Sequence, residues 1–290
     1  MIIDIDPGAG PCFGVERAIN MAEQVLNDHH QLLCIGDLIH NEQELFRLKK
    51  LGMEIINLKQ AVKSKPNSVL FRAHGEAPSV YNALKTNNIA IIDTTCPIVR
   101  QLQLKIKNTY NNFNNKKGQI IIYGNSKHPE IISLLGHCNG EANIIENETD
   151  LDNIDLSLPI HLFSQTTKYR TNYLLIKERL LEKLTELGLE HSSHLIFHDS
   201  SCKTVAKRDE QLKDFIQDKD IIIFVSGKNS SNGKQLFNIC KKSGITSYFV
   251  SQVSDLERNW FDDVKSVGIS GATSTPSWLL FDIQKAIQEY

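Results

Sequence analysis

The sequence lacks a surplus of charge of either sign. Its 290 residues contain 32 Lys and Arg against 34 Asp and Glu, which gives a formal net charge of −2 at pH 7. Proteins that attract nucleic acid or anionic lipid through bulk charge carry a basic excess. We therefore expect neither nucleic acid nor a membrane as a partner.

The sequence also lacks any apolar run of the length that crosses a bilayer. It begins Met1-Ile-Ile-Asp-Ile-Asp6, without the basic and apolar regions of a secretory signal. We expect a cytoplasmic protein, in which thiols stay reduced. The six cysteines are then read as metal ligands, catalytic groups or core residues rather than as three disulfides.

Neither standard nucleotide motif is present. Gly8-Ala-Gly10 is followed by Pro11-Cys12-Phe13-Gly14, which has the wrong spacing for a Rossmann fingerprint, and Gly227-Lys228 lacks the preceding glycine of a P-loop. Any phosphate site must therefore be built in another way.

What the sequence does contain is a regular alternation of strand-length apolar runs with helical patterns, in a composition typical of globular proteins. This order predicts an α/β fold of three similar units with mostly parallel sheets, at residues 1–88, 89–190 and 191–290. Polar loops follow the carboxyl ends of the strands, where ligands bind in parallel sheets. Units packed with those ends toward a common centre would bring the loops to one pocket.

Three cysteines occupy one position of this repeat. A short apolar run leads to Asp93-Thr-Thr-Cys96, another leads to Asp199-Ser-Ser-Cys202, and a looser copy leads from Ile2–Asp6 to Cys12. Each cysteine lies between a strand end and a helix start. Unpaired amides at a helix start stabilise negative sulfur, so we expect lowered pKa values for these thiols.

Three such sulfurs suit a metal centre. A four-iron cluster usually takes four cysteines, so three would leave one iron able to accept a substrate oxygen. Zinc with three Cys and one His is the alternative, although structural zinc sites normally use close cysteine pairs. A core role as small apolar residues is the interpretation for the other three cysteines, Cys34, Cys138 and Cys240, which fall within a strand or helix pattern.

The remaining loops suggest anion capture and proton transfer. Helix starts beside hydroxyl, amide and imidazole groups suit a phosphate or diphosphate. His128-Pro129-Glu130 places a histidine near a carboxyl group, and Thr166-Thr167 offers hydroxyls for a proton relay.

Several motifs together strongly resemble the 4-hydroxy-3-methylbut-2-enyl diphosphate reductase family, which ends the non-mevalonate isoprenoid pathway. They are Cys12-Phe-Gly-Val-Glu-Arg-Ala, Ile39-His40-Asn41, Ala73-His74-Gly75, Asp93-Thr-Thr-Cys96-Pro97, His128-Pro129-Glu130, Gln165-Thr166-Thr167, Gly227-Lys-Asn-Ser-Ser-Asn232 and Gly271-Ala-Thr-Ser274. The resemblance implies a pseudo-threefold trefoil of the three units around a central [4Fe-4S] cluster with three Cys ligands, Cys12, Cys96 and Cys202. It also implies reductive removal of the substrate hydroxyl as water, giving isopentenyl and dimethylallyl diphosphates.

By the same resemblance, Glu130 delivers protons, Thr167 positions the substrate hydroxyl, and a ferredoxin or flavodoxin supplies electrons. The implied diphosphate contacts are His40, His74, His128, Ser230, Ser231, Asn232 and Ser274. The loop before Cys12 and the run Lys203–Arg208 after Cys202 depart from the common family pattern, but the cysteines are kept. Two other classes stay open: a non-redox hydro-lyase with a three-cysteine cluster, and a diphosphate-binding or metal-sensing protein without catalysis.

Overall fold

The computed structural model of the protein describes residues 1–113 and 118–290. The helices are α1 (Phe13–His29), α2 (Glu42–Lys50), α3 (Leu58–Ser64), α4 (Pro78–Thr86), α5 (Pro97–Asn112), α6 (Pro129–Gly136), α7 (Arg170–Glu186), α8 (His191–His194), α9 (Lys203–Ile216), α10 (Ser231–Lys242) and α11 (Ser277–Gln288). The strands are β1 (Ile2–Ile5), β2 (Leu32–Ile35), β3 (Met53–Ile56), β4 (Ser68–Phe71), β5 (Ala90–Asp93), β6 (Gln119–Tyr123), β7 (Ala142–Ile145), β8 (Ile160–Ser164), β9 (Leu195–Phe197), β10 (Ile221–Val225), β11 (Thr246–Val250) and β12 (Ser266–Gly271). Within the described ranges, no helix combines the length and apolar character needed to cross a membrane.

The chain forms two compact units. Unit 1 comprises Met1–Ile56 with Lys203–Tyr290, and unit 2 comprises Asn57–Cys202. The prediction of three domains with boundaries near residues 88 and 190 stays a prediction.

Unit 1 contains a four-stranded sheet in the order β1-β12-β10-β11, and a further pair, β2 with β3. All these strands pair in parallel. The apolar run of β10 is buried along its whole length because helices cover both faces of this sheet. Ile221, Ile223 and Val225 pack on the α11 side, whereas Ile222 and Phe224 pack against α9 and α10.

Unit 2 repeats this construction with the sheet β7-β6-β8-β9 and the pair β4 with β5, all parallel. Ile121 and Tyr123 of β6 face residues of α7, and Ile120 and Ile122 face α5 and α6. The alternating side chains of one strand thus serve two cores, which explains why β6 is apolar throughout.

The strands that lead to the three cysteines occupy equivalent places. β1 pairs with β12, β5 with β4 and β9 with β8. Among the described residues, each of these three is the edge strand of its sheet, and the chain runs from its carboxyl end to the cysteine.

Most elements agree with the sequence prediction: β6, β7 and β11 have the predicted bounds, and the last helix begins one residue after Pro276. The short helices α3 and α8 were not predicted. Cys138 was expected within a strand or helix, but it lies in the turn after α6. Its burial nevertheless fits the expected core role.

Candidate active site

The three cysteines share one backbone geometry. The N–H of Cys12 donates to the carbonyl of Thr273, that of Cys96 to Ala73, and that of Cys202 to Thr166, at 2.9, 2.9 and 3.0 Å. Each acceptor lies two residues beyond the end of the neighbouring strand, β12, β4 or β8. The repeat inferred from the sequence is therefore present in the hydrogen bonding.

These cysteines also differ from the other three in exposure. Cys12, Cys96 and Cys202 are partly exposed, while the rest are buried. Burial raises the pKa of the Cys138 thiol to about 11 and that of Cys240 to about 12, so both remain neutral thiols near pH 7. Only the partly exposed set offers sulfur to a ligand.

The expectation of lowered thiol pKa values is wrong for Cys96. Burial is the largest influence and raises its pKa above the ordinary value, although the amides of Ile98 and Val99 at the start of α5 act in the opposite direction. The neighbouring charges of Cys202 and Glu130 raise it further. A bound cation would strongly stabilise the thiolate form of such a residue, because the metal takes the place of the water that burial removed.

Glu130 is the central polar residue of unit 2. It lies in the first turn of α6 and is 1% exposed. Its two carboxylate oxygens accept hydrogen bonds from Thr166, one from the backbone N–H at 2.7 Å and one from the hydroxyl at 2.8 Å. Since Thr166 also receives the N–H of Cys202, one residue contacts both the carboxylate and the backbone of a cysteine.

Burial raises the pKa of Glu130 to about 7, even though both hydrogen bonds from Thr166 favour the ionised form. A carboxyl group with this pKa is protonated in a large fraction of molecules at neutral pH. It can therefore donate a proton, which an ordinary surface carboxylate cannot do at that pH.

His128 caps the same helix. Its Nδ1 accepts the backbone N–H of Glu130 at 3.1 Å. A backbone N–H can only donate, so Nδ1 carries no proton and Nε2 does. His128 thus presents a donor through Nε2, and the ring of His74 lies edge-on to it with 5.3 Å between the ring centroids.

Unit 1 contains a counterpart of the pair formed by Glu130 and Thr166. The side-chain oxygen of Asn232 accepts both the N–H and the hydroxyl of Thr273, each at 3.0 Å. These bonds fix the amide so that its NH₂ group points the other way, where it is buried and has no partner among the described residues. A buried donor of this kind suits an anionic ligand.

The other unit 1 candidates adjoin Asn232. The Ser230 hydroxyl caps α10 through the N–H of Gly233 at 3.0 Å, and Ser231 is the first residue of that helix. The Ser274 hydroxyl lies 3.2 Å from the Ser230 hydroxyl and 3.3 Å from the His40 carbonyl oxygen. A helix start with two hydroxyls and an oriented amide provides several donors for one anion.

The candidate residues follow equivalent strands by the same number of residues along the chain. His40, His128 and Ser230 each lie five residues after the end of β2, β6 or β10. In the same way, His74, Thr167 and Ser274 each lie three residues after β4, β8 or β12. The repeat therefore places the candidate residues at two recurring positions, which different side chains occupy.

One assignment could not be made from the sequence. Thr166 and Thr167 were both considered for proton relay and Thr167 was preferred as the substrate contact, but it is Thr166 that binds Glu130. The Thr167 hydroxyl instead accepts from the Gln165 side chain at 2.8 Å. Only the backbone turn after β8 decides which hydroxyl faces the carboxylate.

Comparison with known proteins agrees with these features. The family model described as LytB protein matches residues 3–288. A protein of Phocaeicola vulgatus named 4-hydroxy-3-methylbut-2-enyl diphosphate reductase is 42% identical over 286 residues, which cover 98% of both chains. A protein of the same name from Bacteroides fragilis is 40% identical and covers 99% of this chain and 97% of its own.

Two solved structures are also similar. The E-1-hydroxy-2-methyl-but-2-enyl-4-diphosphate reductase from Plasmodium falciparum has a TM-score of 0.84 at 23% identity, over 98% of this chain and 87% of that one. A second, described as (E)-4-hydroxy-3-methyl-but-2-enyl diphosphate reductase, the terminal enzyme of the non-mevalonate pathway, has a TM-score of 0.71 at 28% identity over the full length of both. The predicted fold class is confirmed. On its full-length match and its identity to curated members, the chain belongs to the LytB family.

Proposed function

We propose that this chain is a 4-hydroxy-3-methylbut-2-enyl diphosphate reductase. The substrate C–O bond breaks, its oxygen leaves as water, and a C–H bond forms, which consumes two electrons and two protons. The products are isopentenyl and dimethylallyl diphosphates. The relatives that carry this name match nearly the whole chain, which supports assigning it the complete reaction.

The proposed cofactor is a [4Fe-4S] cluster held by Cys12, Cys96 and Cys202. When bound, it would supply the electrons and an iron that acts as a Lewis acid on the C–O bond. The donor set fits, because three partly exposed thiols occupy one repeat position while the remaining thiols are buried. Zinc fits the reaction less well, since it has no redox chemistry.

The observation that carries the proposal is the buried Glu130 with a pKa of about 7. In its acid form this residue gives a proton to the leaving oxygen, and its ionised form is stabilised by the two donors of Thr166. Thr166 links the carboxyl group to the turn that receives Cys202, so the acid is held near a metal ligand. Thr167 is the proposed contact for the substrate hydroxyl.

The diphosphate is proposed to bind the donors that follow the strands. Asn232 contributes its oriented amide, and Ser230 and Ser274 contribute hydroxyls at the start of α10. The remaining proposed contacts are His40, His74, His128 and Ser231. Neutral donors can bind the diphosphate without neutralising it, and the Nε2–H of His128 is one of them.

A ferredoxin or flavodoxin is the proposed electron donor, and the cytoplasm is the proposed location. Both follow from the family resemblance and the expected reduced compartment.

The test is turnover by protein purified without oxygen and supplied with reduced methyl viologen. We expect the substrate to yield both isoprenoid diphosphates, and no product without the reductant. Conversion of the substrate without an electron donor, to a product of dehydration or hydration rather than of reduction, would instead identify a hydro-lyase. Tight substrate binding by iron-loaded protein without turnover would identify a non-catalytic diphosphate-binding protein.

A further inference from the structure

An aspartate precedes each of the three cysteines and makes the same pair of contacts. Asp93 lies three residues before Cys96 and Asp199 three before Cys202, while Asp6 precedes the longer glycine loop to Cys12. In each case Oδ1 accepts a hydrogen bond from the residue two positions later. The donors are the N–H of Gly8 at 2.8 Å, the N–H of Thr95 at 2.9 Å and the hydroxyl of Ser201 at 2.9 Å.

The other oxygen, Oδ2, binds an arginine in all three copies. Asp6 pairs with Arg208, Asp93 with Arg100 and Asp199 with Arg170. The arginines come from different places, α9, α5 and α7, so they do not arise from a repeated sequence motif. The aspartate–arginine ion pair recurs although the arginine comes from a different helix each time. This indicates that each of the three turns requires the ion pair itself.

We propose that these three aspartates are positioning residues, which fix the backbone that leads into each cysteine and so help to retain the proposed cluster. Oδ1 closes the turn after the strand, and the arginine prevents the carboxylate from rotating out of it. This inference rests on the proposed iron–sulfur function.

The three ion pairs differ in burial, and this difference predicts how much each one contributes to retention of the cluster. The side chains of Asp6 and Arg208 are 2% and 3% exposed, those of Asp93 and Arg100 are 27% and 36%, and those of Asp199 and Arg170 are 45% and 47%. Loss of one charge from an exposed ion pair costs little because water screens the pair, whereas loss of one charge from a buried pair leaves the other charge buried without compensation. The Asp6 pair should therefore matter most and the Asp199 pair least.

Close packing around Asp6 supports the proposal that this aspartate fixes the backbone before Cys12. Ser270 donates to Asp6 Oδ2 at 2.9 Å, and it also accepts from Arg208 at 2.6 Å. A Cβ atom added at Gly8 would lie only 3.0 Å from Arg208 Nη1 and 2.9 Å from the side-chain oxygen of Gln211. The loop to Cys12 is thus held directly against the ion pair.

The test compares Asp6→Asn, Asp93→Asn and Asp199→Asn in the full-length protein, purified without oxygen. Asparagine keeps an oxygen for the turn but loses the charge that faces the arginine. Asp4→Asn is the matched control, because Asp4 lies on β1, the strand that leads to Asp6, and pairs with Lys219 without leading into a turn before a cysteine. The measurements are iron content and the rate at which an iron chelator bleaches the visible absorption, together with thermal unfolding of the same samples.

We expect bleaching about tenfold or more faster for Asp6→Asn, about threefold faster for Asp93→Asn, and within about twofold of the parent for Asp199→Asn and Asp4→Asn. If Asp6→Asn does not fold, Ser270→Ala, which removes one donor to the same carboxylate, should still bleach faster than the parent. Parent-like bleaching of Asp6→Asn, or acceleration by Asp4→Asn equal to that by Asp6→Asn, would overturn the inference. A parent without iron and sulfide would instead refute the proposed function.

Discussion

The pKa of Glu130 gives the most detailed prediction about the reaction. Burial raises this pKa from 4.5 to about 7, a difference that corresponds to about 3 kcal/mol between the two protonation states. Because the acid form is the proton donor, the turnover of substrate should fall as pH rises through 7. Well above that pH the decrease should approach about tenfold for each pH unit.

Two substitutions separate the role of the carboxyl group from that of its surroundings. Glu130→Gln keeps the shape but cannot release a proton, so kcat should fall about 100-fold to 10,000-fold with cluster content and KM nearly unchanged. Thr166→Val removes the hydroxyl that donates to the carboxylate at 2.8 Å. A hydrogen bond to a charged group is worth about 1.5–3 kcal/mol, so the alkaline decrease should move upward by about one to two pH units.

The assay is the steady-state rate with reduced methyl viologen from pH 6 to 9, with iron content measured on each sample. Thr167→Val is the control for the position of the pH decrease, because its hydroxyl binds Gln165 and not Glu130. A parent-like rate for Glu130→Gln would refute proton delivery by this residue. A shift of the decrease to lower pH in Thr166→Val would refute the assignment of the titrating group.

Three further predictions concern binding and stability. Asn232→Ala removes a buried amide donor that is proposed to bind the diphosphate, so KM for the substrate should rise about tenfold or more while the alkaline pH decrease stays in place. An unchanged KM would exclude the contact. His128→Ala should lower the free energy of unfolding by about 1 kcal/mol, because α6 loses its N-terminal cap. His128→Asn should restore the stability but not the substrate affinity. Thermal melting measures the stability, and substrate titration measures the affinity. Gly75→Ala should destabilise the protein by about 1–3 kcal/mol, because Gly75 has a φ of +73° and an added Cβ would overlap the Gln103 side chain. A parent-like melting temperature would contradict this prediction.

The stability of the protein should also depend on pH through Glu130. Its folded-state pKa is raised, so its contribution to stability is fully present below the unfolded-state pKa of 4.5 and is lost as pH rises through about 7. This loss should be absent in Glu130→Gln. Urea unfolding of both proteins between pH 5 and 8 under anaerobic conditions measures the difference.

The sequence predicted the parts of the site that depend on local pattern. Apolar runs followed by polar residues and helical periodicity located β6, β10 and the loops after them, and the recurrence of Asp93 before Cys96 in the Asp199 copy revealed the repeat. These features are local because strand ends and helix starts are encoded by neighbouring residues.

The parts that were missed depend on contacts between distant residues. β1 pairs with β12 at the other end of the chain, and Asp6 meets Arg208 of α9, which no spacing rule connects. The raised pKa of Cys96 likewise arises from burial, which the helix-start motif does not encode. Local sequence therefore identified the candidate groups, but the fold determines their partners and their protonation.

Three particular thiols, those of Cys12, Cys96 and Cys202, are proposed to hold an iron–sulfur cluster. The direct measurement is iron and acid-labile sulfide in oxygen-free preparations of the parent, of Cys12→Ser, Cys96→Ser and Cys202→Ser, and of Cys240→Ala as a control for a buried core thiol. We expect about four irons and four sulfides in the parent, retention in the control, and loss in each of the three serine variants. A colourless parent that carries one zinc, or serine variants with full iron content, would contradict the proposal that these thiols hold a cluster.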